Sequence, residues 1–187
     1  MSRAVLTLSN ASNGGSGGAV TTSPWVGAGG ASKPFTFTYG YIECSIVVPA
    51  GGWWAIWTAG QVWPTDGEFD IAENGGGVDI TTNYHSGTGS IGGGSWSPQP
   101  AAGSTIVVGG LWQPGVCTSY RTGVQQKQLA NGDGGITVAN VPQCLILNMG
   151  WNSGSSNGDQ LKINYLRVWA APTAAESEVL GQHLLGE

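Results

Sequence analysis

The sequence predicts an all-β fold in which short antiparallel strands build a sandwich or a barrel. The apolar stretches are short and rich in β-branched and aromatic residues, and turn-forming Gly, Ser, Asn and Pro separate them. Glycine alone supplies 33 of the 187 residues, which favours turns and bulges. No stretch before residue 173 shows helical periodicity, so an alternating β–α architecture is excluded.

Ten segments are predicted to be strands, because they combine apolar residues with turn signals at both ends. These segments are residues 5–8, 35–48 with a bend at Gly40, 53–57, 68–73, 78–84, 105–108, 116–121, 136–139, 144–149 and 161–169. Residues 10–19 and 86–104 are rich in glycine and polar residues, and we expect them to form surface loops.

The last residues differ from the rest of the chain. Thr173 and Glu176 form a capping-box pattern, and Val179, Leu180 and Leu184 follow at helical spacing. A short helix is therefore predicted over residues 174–185. The expected organisation is one β-domain over residues 1–172, followed by a short helix or tail over residues 173–187.

The charge balance excludes several classes of partner. Six basic and eleven acidic residues give a net charge of −5, whereas nucleic-acid binding needs a basic patch. Anionic polymers are poor candidates for the same reason, so a neutral partner fits best. No apolar run approaches the roughly 18 residues needed to cross a bilayer, so no membrane partner is predicted. We expect a monomer.

The cysteines are Cys44, Cys117 and Cys144, and they lie far apart in the sequence. No CxxC pair occurs, so a zinc site is not predicted. Free cysteine packs as a small apolar residue, so we expect three buried, unpaired thiols. A single disulfide is the alternative.

The acidic residues are concentrated in one segment, since four of the eleven lie within DGEFDIAE at residues 66–73. Side chains alternate across a strand, so Glu68 and Asp70 share one face. Strict alternation would place Glu73 in the core, where a lone carboxylate is costly. We therefore predict a one-residue β-bulge near Ile71 and Ala72 that returns Glu73 to the face of Glu68.

With this bulge, the carboxyl groups of Glu68 and Glu73 are predicted to lie about 5 Å apart, as in retaining glycosidases. The charges of Glu68 and Asp70 would raise the pKa of Glu73 and keep it protonated as an acid. Aromatic faces stack on sugar rings, and four tryptophans precede the acids. They are Trp53, Trp54, Trp57 and Trp63. Taken alone, the acidic segment also fits an exposed strand edge.

The segment GEFDIAE at residues 67–73 is accompanied by six others. They are YGYIECSIVVP at 39–49, GWWAIW at 52–57, WP at 63–64, WQPGVCTSY at 112–120, LILN at 145–148 and INYLRVW at 163–169. In this order, over about residues 34–169, they resemble the motifs of glycoside hydrolase family sixteen, the laminarinase-like retaining β-glycanases. GEFDIAE is similar to the family signature GE-[IFL]-D-[IV]-x-E.

The resemblance implies a β-jelly-roll sandwich whose concave sheet carries a substrate cleft. It implies Glu68 as nucleophile, Glu73 as general acid/base and Asp70 as the assisting carboxylate, with no cofactor. It also implies substrate-binding side chains, namely Trp63 beside the nucleophile, His85, Trp53 and Trp151. A purely structural role is the alternative for His85.

One departure from the family pattern concerns metal binding. The last-strand aspartate that is often part of a structural calcium site in the family is Asn164 here. We therefore expect no metal. The extra residue within the acidic motif resembles laminarinases and agarases rather than lichenases.

We expect an endo-acting retaining β-glycanase that cleaves β-1,3 linkages in a neutral glucan. The alternatives are a glycanase for agarose-type galactan or mixed-linkage glucan, and a non-catalytic carbohydrate-binding or virion-surface module. The polymer is met outside the cell, so an extracellular location is expected, by secretion or on a phage particle. The first residues, MSRAVLTLSN, lack the apolar stretch of a signal peptide.

Overall fold

Twelve strands form two six-stranded antiparallel sheets in the computed structural model, which describes residues 5–10, 17–23, 35–75, 79–151, 156 and 158–172. The strands are β1 (Leu6–Ser9), β2 (Gly18–Thr21), β3 (Gly40–Val47), β4 (Trp53–Ala59), β5 (Glu68–Glu73), β6 (Thr81–Ser86), β7 (Gly89–Ser95), β8 (Thr105–Gln113), β9 (Val116–Arg121), β10 (Val124–Ala130), β11 (Cys144–Gly150) and β12 (Gln160–Ala170). The predicted all-β jelly-roll sandwich is confirmed.

The two sheets divide the strands equally. Sheet A has the order β1-β12-β3-β8-β9-β10, and sheet B has the order β2-β11-β4-β5-β6-β7. Strand β5, which carries the acidic segment, lies inside sheet B and pairs with β4 and β6. Its backbone is therefore held by hydrogen bonds on both sides, which fixes the positions of its side chains.

The core fills the space between the sheets and is built from alternating residues of both. Its largest fully buried side chains are Trp54, Trp96, Trp112, Tyr84, Phe69, Ile42, Ile46, Ile56, Ile71, Ile136, Leu145 and Leu147. Within the described residues, the one helical element is a 3₁₀ turn at Asp133–Gly135. The described residues therefore contain no helix that is long and apolar enough to span a membrane.

Three strands were not predicted from the sequence, and all three lie at sheet edges. Strand β7 lies within a segment expected to be a loop, β2 begins in the other one, and β10 has the polar sequence VQQKQLA. An edge strand pairs on one side only and covers little of the core, so it needs no apolar pattern. Backbone pairing with β11, β6 and β9 forms these strands instead.

The predicted strand at residues 136–139 is wrong. Ile136 and Val138 are buried, but the segment forms no strand and follows the 3₁₀ turn. Its alternation reflects two apolar side chains that a connecting segment contributes to the core. To form a strand, these residues would have needed a neighbouring strand whose backbone could pair with theirs.

Two further predictions concern the C-terminus and the cysteines. The helix predicted over residues 174–185 lies outside the described residues. Cys44, Cys117 and Cys144 are all buried and unpaired, which confirms the prediction of free thiols.

Candidate active site

One residue of β5 is inserted relative to both neighbouring strands. On the β4 side, Asp70 and Ala72 pair with two consecutive residues, which leaves Ile71 without a partner. The register with β6 also shifts between Asp70 and Glu73. The β-bulge predicted near Ile71 and Ala72 is therefore present.

The bulge separates apolar from acidic side chains. Phe69, Ile71 and Ala72 are 0% exposed and belong to the core between the sheets. Glu68 and Glu73 are half-buried and line the opposite face of sheet B. The inserted residue thus changes the alternation so that Glu73 leaves the core.

A buried hydroxyl satisfies the carbonyl of the bulge. Thr82 Oγ1 donates to the Ile71 carbonyl over 3.1 Å. The same oxygen lies 2.9 Å from Trp96 Nε1 and 2.7 Å from Ser119 Oγ of sheet A. A hydroxyl has one donor and two acceptor positions. Because Thr82 Oγ1 donates to Ile71, it accepts from Trp96 and Ser119, and all three positions are occupied.

The bulge also requires space in the opposite sheet. The side chain of Ile71 lies directly over Gly110 of β8, where a Cβ atom would stand 2.7 Å from Ile71 Cδ1. That distance is too short for two carbon atoms in contact. A residue without a side chain at position 110 therefore accommodates the inserted residue of β5.

A groove of about 600 Å³ crosses the outer face of sheet B. Strand β7 borders it with small residues, including Ser90 and Gly92, which leaves this side open. The groove is lined by Trp53, Glu68, Glu73, Gly75, Asp79, Thr81, Asn83, His85, Ser90, Ile91 and Gly92.

Glu68 receives a hydrogen bond from a tryptophan in the preceding loop. Trp63 Nε1 donates to Glu68 Oε2 over 2.5 Å, and 54% of Trp63 is exposed. The loop is closed by hydrogen bonds from Gly60 N to the Gly67 carbonyl and from Val62 N to Asp66 Oδ2. This closed loop holds the indole beside the carboxyl group.

Buried Gln143 attaches the same loop to the body of the sandwich. Its Nε2 atom donates to the Asp66 carbonyl over 2.8 Å, and its Oε1 atom accepts from the Thr58 hydroxyl over 2.5 Å. The loop that carries Trp63 is therefore fixed at its base by a side chain from the segment before β11.

Glu73 receives two side-chain hydrogen bonds, one on each carboxyl oxygen. Trp53 Nε1 donates to Oε1 over 2.7 Å, and Asn83 Nδ2 donates to Oε2 over 2.8 Å. Trp53 comes from β4 and Asn83 from β6, so both neighbours of β5 hold this side chain. Each glutamate thus accepts a hydrogen bond from the indole N–H of its own tryptophan, which is about half exposed.

Asp70 lies beneath the groove and faces a histidine. It is 3% exposed, and its Oδ2 atom is 3.4 Å from His85 Nε2. The other ring nitrogen of His85, Nδ1, is 3.0 Å from the Ser90 hydroxyl. The contact with the Asp70 carboxylate raises the pKa of His85.

The electrostatic environment raises the pKa of both glutamates. Burial, followed by the charge of Asp70, raises the pKa of Glu68 to about 7. The same two causes, in the same order, raise the pKa of Glu73. The predicted direction for Glu73 is therefore confirmed, although burial is the larger cause and the prediction named only charge.

Glu68, Asp70 and His85 can each offer a metal-ligand atom within 4.8 Å of the others. Both nitrogens of His85 already face polar partners, Asp70 and Ser90. The absence of a metal from the functional protein stays a prediction.

The structure brings together most of the residues selected from the sequence. Trp53, Glu68, Glu73 and His85 line the groove, and Trp63 and Asp70 contact groove residues. Trp151 follows the end of β11 and is not among the residues that line the groove.

Sequence reasoning did not identify Asn83, Thr81 and Ser90. A signal for Asn83 was present, because Thr81, Asn83 and His85 alternate along β6 and so share one face. The contact of Asn83 with Glu73, however, depends on the pairing of β5 with β6.

A second cavity, of about 560 Å³, lies near the loops that follow β6 and β10. It is lined by Tyr39, Thr65, Ser86, Gly87, Thr88, Gly115, Asn131, Thr137, Val138, Ala139, Asn140 and Val141. Because this lining contains no carboxylate, it offers no acid or base for hydrolysis. The groove with the two glutamates is therefore the candidate active site.

The architecture is similar to that of solved β-glucanases. The catalytic domain of an endo-1,3-β-glucanase (laminarinase) from Thermotoga petrophila RKU-1 superposes with a TM-score of 0.70 at 22% identity, covering 90% of this chain and 78% of that chain. The chain has the laminarinase fold. No family model and no curated protein matches the sequence.

Two further proteins with solved structures share the laminarinase fold. LamAcat from Zobellia galactanivorans has a TM-score of 0.59 at 26% identity, covering 72% of this chain and 66% of that chain, and a LamA variant was solved with laminaritriose and laminaritetraose. A non-specific endo-β-1,3(4)-glucanase from glycoside hydrolase family sixteen has a TM-score of 0.66 at 21% identity, covering 88% of this chain and 70% of that chain.

Proposed function

We propose that the protein is a retaining endo-β-1,3-glucanase that hydrolyses a neutral β-glucan outside the cell, as a monomer and without a cofactor. One observation carries the proposal: the bulge of β5 brings Glu68 and Glu73 to the same wall of an open groove. Similarity to the laminarinase fold supports a β-glucan as substrate. The laminari-oligosaccharides bound to LamA support the β-1,3 linkage.

Each glutamate has a distinct role in the proposed mechanism. The carboxylate of Glu68 attacks the anomeric carbon, and the glycosidic C–O bond breaks while Glu73 gives its proton to the leaving oxygen. Glu73 then takes a proton from water, the water oxygen attacks the anomeric carbon, and Glu68 is released. We expect Trp53 and Trp63, each about half exposed beside one glutamate, to contact the sugar rings on either side of the reacting bond.

The proposal is tested by measuring reducing-sugar release from laminarin, mixed-linkage glucan, agarose and xylan. We expect release from laminarin, with loss by at least about a hundredfold in Glu68→Gln and in Glu73→Gln. Glu43→Gln is the matched control, because Glu43 lies on β3 of the opposite sheet and pairs with Arg167. Proton NMR of the first product should show the β-anomer.

A second measurement assigns the two roles separately. With 2,4-dinitrophenyl β-laminaribioside, azide should restore turnover to Glu73→Ala and give the β-glycosyl azide. Azide with Glu68→Ala should instead give the α-anomer, because it then replaces the nucleophile. A folded wild-type protein that releases sugar from none of the four polymers would contradict the proposal. Retardation in a laminarin gel without hydrolysis would then indicate a binding module.

A further inference from the structure

Asn83 stands out in the groove because it contacts Glu73 without being its partner in the sheet. The register pairs Asn83 with Asp70, and it pairs Glu73 with Thr81. The bulge between Asp70 and Glu73 brings the Glu73 carboxyl within 2.8 Å of Asn83 Nδ2. The contact therefore exists only with the inserted residue in β5.

The hydrogen bonds of Asn83 and Trp53 leave Glu73 little freedom to rotate. Asn83 holds Oε2 and Trp53 holds Oε1, so the plane of the carboxyl group is defined by donors from two different strands. Each carboxyl oxygen has a second acceptor position. The proton that Glu73 delivers can thus be carried on either oxygen while both contacts persist.

We propose that Asn83 is a positioning residue for Glu73, holding the carboxyl group in the orientation from which it exchanges a proton with the glycosidic oxygen. This inference rests on the proposed function and deepens it. In this proposal Asn83 acts through Glu73, whereas Trp53 is itself 44% exposed and lines the groove.

The charges around Glu73 decide how the loss of Asn83 affects its ionisation. Glu68 and Asp70 of β5 and Asp79 before β6 are acidic groups at or beneath the groove, and His85 of β6 is the basic one. Strands β4 and β7, which are described throughout, contain no charged residue. The Asn83 hydrogen bond favours the ionised form of Glu73, so its removal should raise the pKa of Glu73.

The test compares Asn83→Ala and Asn83→Asp with the wild type over a range of pH. We expect kcat/KM for laminarin to fall by about ten- to a hundredfold, which corresponds to the loss of one hydrogen bond to a charged group. We also expect the alkaline limb of the pH profile to move to higher pH, and further in Asn83→Asp, which adds a negative charge. The fold of each variant is checked by near-ultraviolet circular dichroism.

The leaving group gives a second readout that a structural role would not change. Dinitrophenolate leaves without a proton, so kcat/KM for 2,4-dinitrophenyl β-laminaribioside should change less than twofold in Asn83→Ala while that for laminarin falls. Asn148→Ala is the matched control, since Asn148 lies in the same sheet and accepts a hydrogen bond from Trp57 rather than holding a carboxylate. Its alkaline limb should not move.

Two outcomes overturn the inference. One is an alkaline limb that does not move in either folded Asn83 variant, and the other is an equal loss on both substrates. Failure of the proposed function gives a different result, because the wild type would then release no sugar, or Glu68→Gln and Glu73→Gln would be as active as the wild type. If these two variants are inactive while Asn83→Ala matches the wild type, only the positioning role is wrong.

Discussion

Glu68 and Glu73 lie where the proposed mechanism requires them, in an environment that disfavours their ionised forms. Both are partly buried, and both lie near the carboxylate of Asp70, so ionisation is disfavoured in the folded chain. Hydrogen bonds from Trp63 and from Trp53 offset part of this effect. The site therefore combines groups that oppose and groups that support negative charge, as expected for paired acid and nucleophile.

The activity should depend on pH through Glu68, whose pKa is raised to about 7. In the proposed mechanism Glu68 is the nucleophile and has to be ionised, so kcat/KM is expected to fall as the pH drops below about 7. Trp63→Phe keeps an aromatic ring and removes the N–H donor to Glu68, so its acid limb should lie at higher pH than that of the wild type. An acid limb near pH 4 in the wild-type protein would contradict this prediction.

Replacing either glutamate should stabilise the fold at alkaline pH. The folded pKa is raised above the unfolded value, so the unfolded state loses its proton first and stability falls as the pH rises from about 4.5 to about 7. Because solvent screens the partly exposed Glu68, we expect Glu68→Gln to gain about 1 kcal/mol, or about 2–4 °C in Tm, at pH 8. Calorimetry at pH 4 should show little difference between the two proteins. A larger gain at pH 4 than at pH 8 would refute the argument.

The bulged strand β5 depends on residues of three other strands. Ile71, its inserted residue, lies over Gly110 of β8, and its carbonyl is satisfied by Thr82 of β6. Thr82 is joined in turn to Ser119 of β9. The position of Glu73 is therefore a property of the whole arrangement of strands around β5.

Thr82→Val should reduce stability by about 1–3 kcal/mol, because the Ile71 carbonyl and the Trp96 indole N–H lose a buried partner. Thr82→Ser is the matched control, since it keeps the hydroxyl. Urea unfolding measures both variants. If Thr82→Val lowers the free energy of unfolding no more than Thr82→Ser does, the hydroxyl does not support the bulge.

Gly110→Ala should reduce stability by about 1–3 kcal/mol, because the added methyl group meets the side chain of Ile71. Hydrolysis of laminarin should fall with it, since any shift of Ile71 moves β5. Ile71→Ala removes all three side-chain carbons that the added methyl group would meet, at 2.7, 2.8 and 2.9 Å. The loss of stability in the double variant should therefore be smaller than the sum of the two single losses. Simple additivity of the losses would exclude a direct contact.

At the scale of the whole molecule, noncovalent packing between two sheets holds the described part of the chain together. Its three cysteines are buried and unpaired, and burial raises the pKa of Cys44 to about 12. We expect a thiol reagent such as Ellman's to modify all three only after unfolding, because reaction needs an exposed thiolate. The Tm should be the same with and without dithiothreitol. Reaction of a thiol in the folded protein would contradict the buried placement.

The interior strands and the acidic segment could be predicted because their residues carry local signals. Alternation marked β4 and β5, and the cost of burying Glu73 was enough to indicate the bulge. The edge strands β2, β7 and β10 could not be predicted, since their backbone pairing, rather than their side chains, forms them. At residues 136–139 the prediction failed in the opposite way, because the apolar alternation is present but no strand lies beside these residues to pair with them.

The sequence by itself determined the all-β class, the three candidate acids and the tryptophans that precede them, because these depend on residue type and short spacing. Only the tertiary structure decided which donors hold each carboxyl group. Asn83 reaches Glu73, and Gly110 makes room for Ile71, through contacts between residues that are distant in sequence or displaced in register. Such contacts follow from strand order and from a one-residue shift in pairing, and residue spacing along the chain encodes neither of them directly.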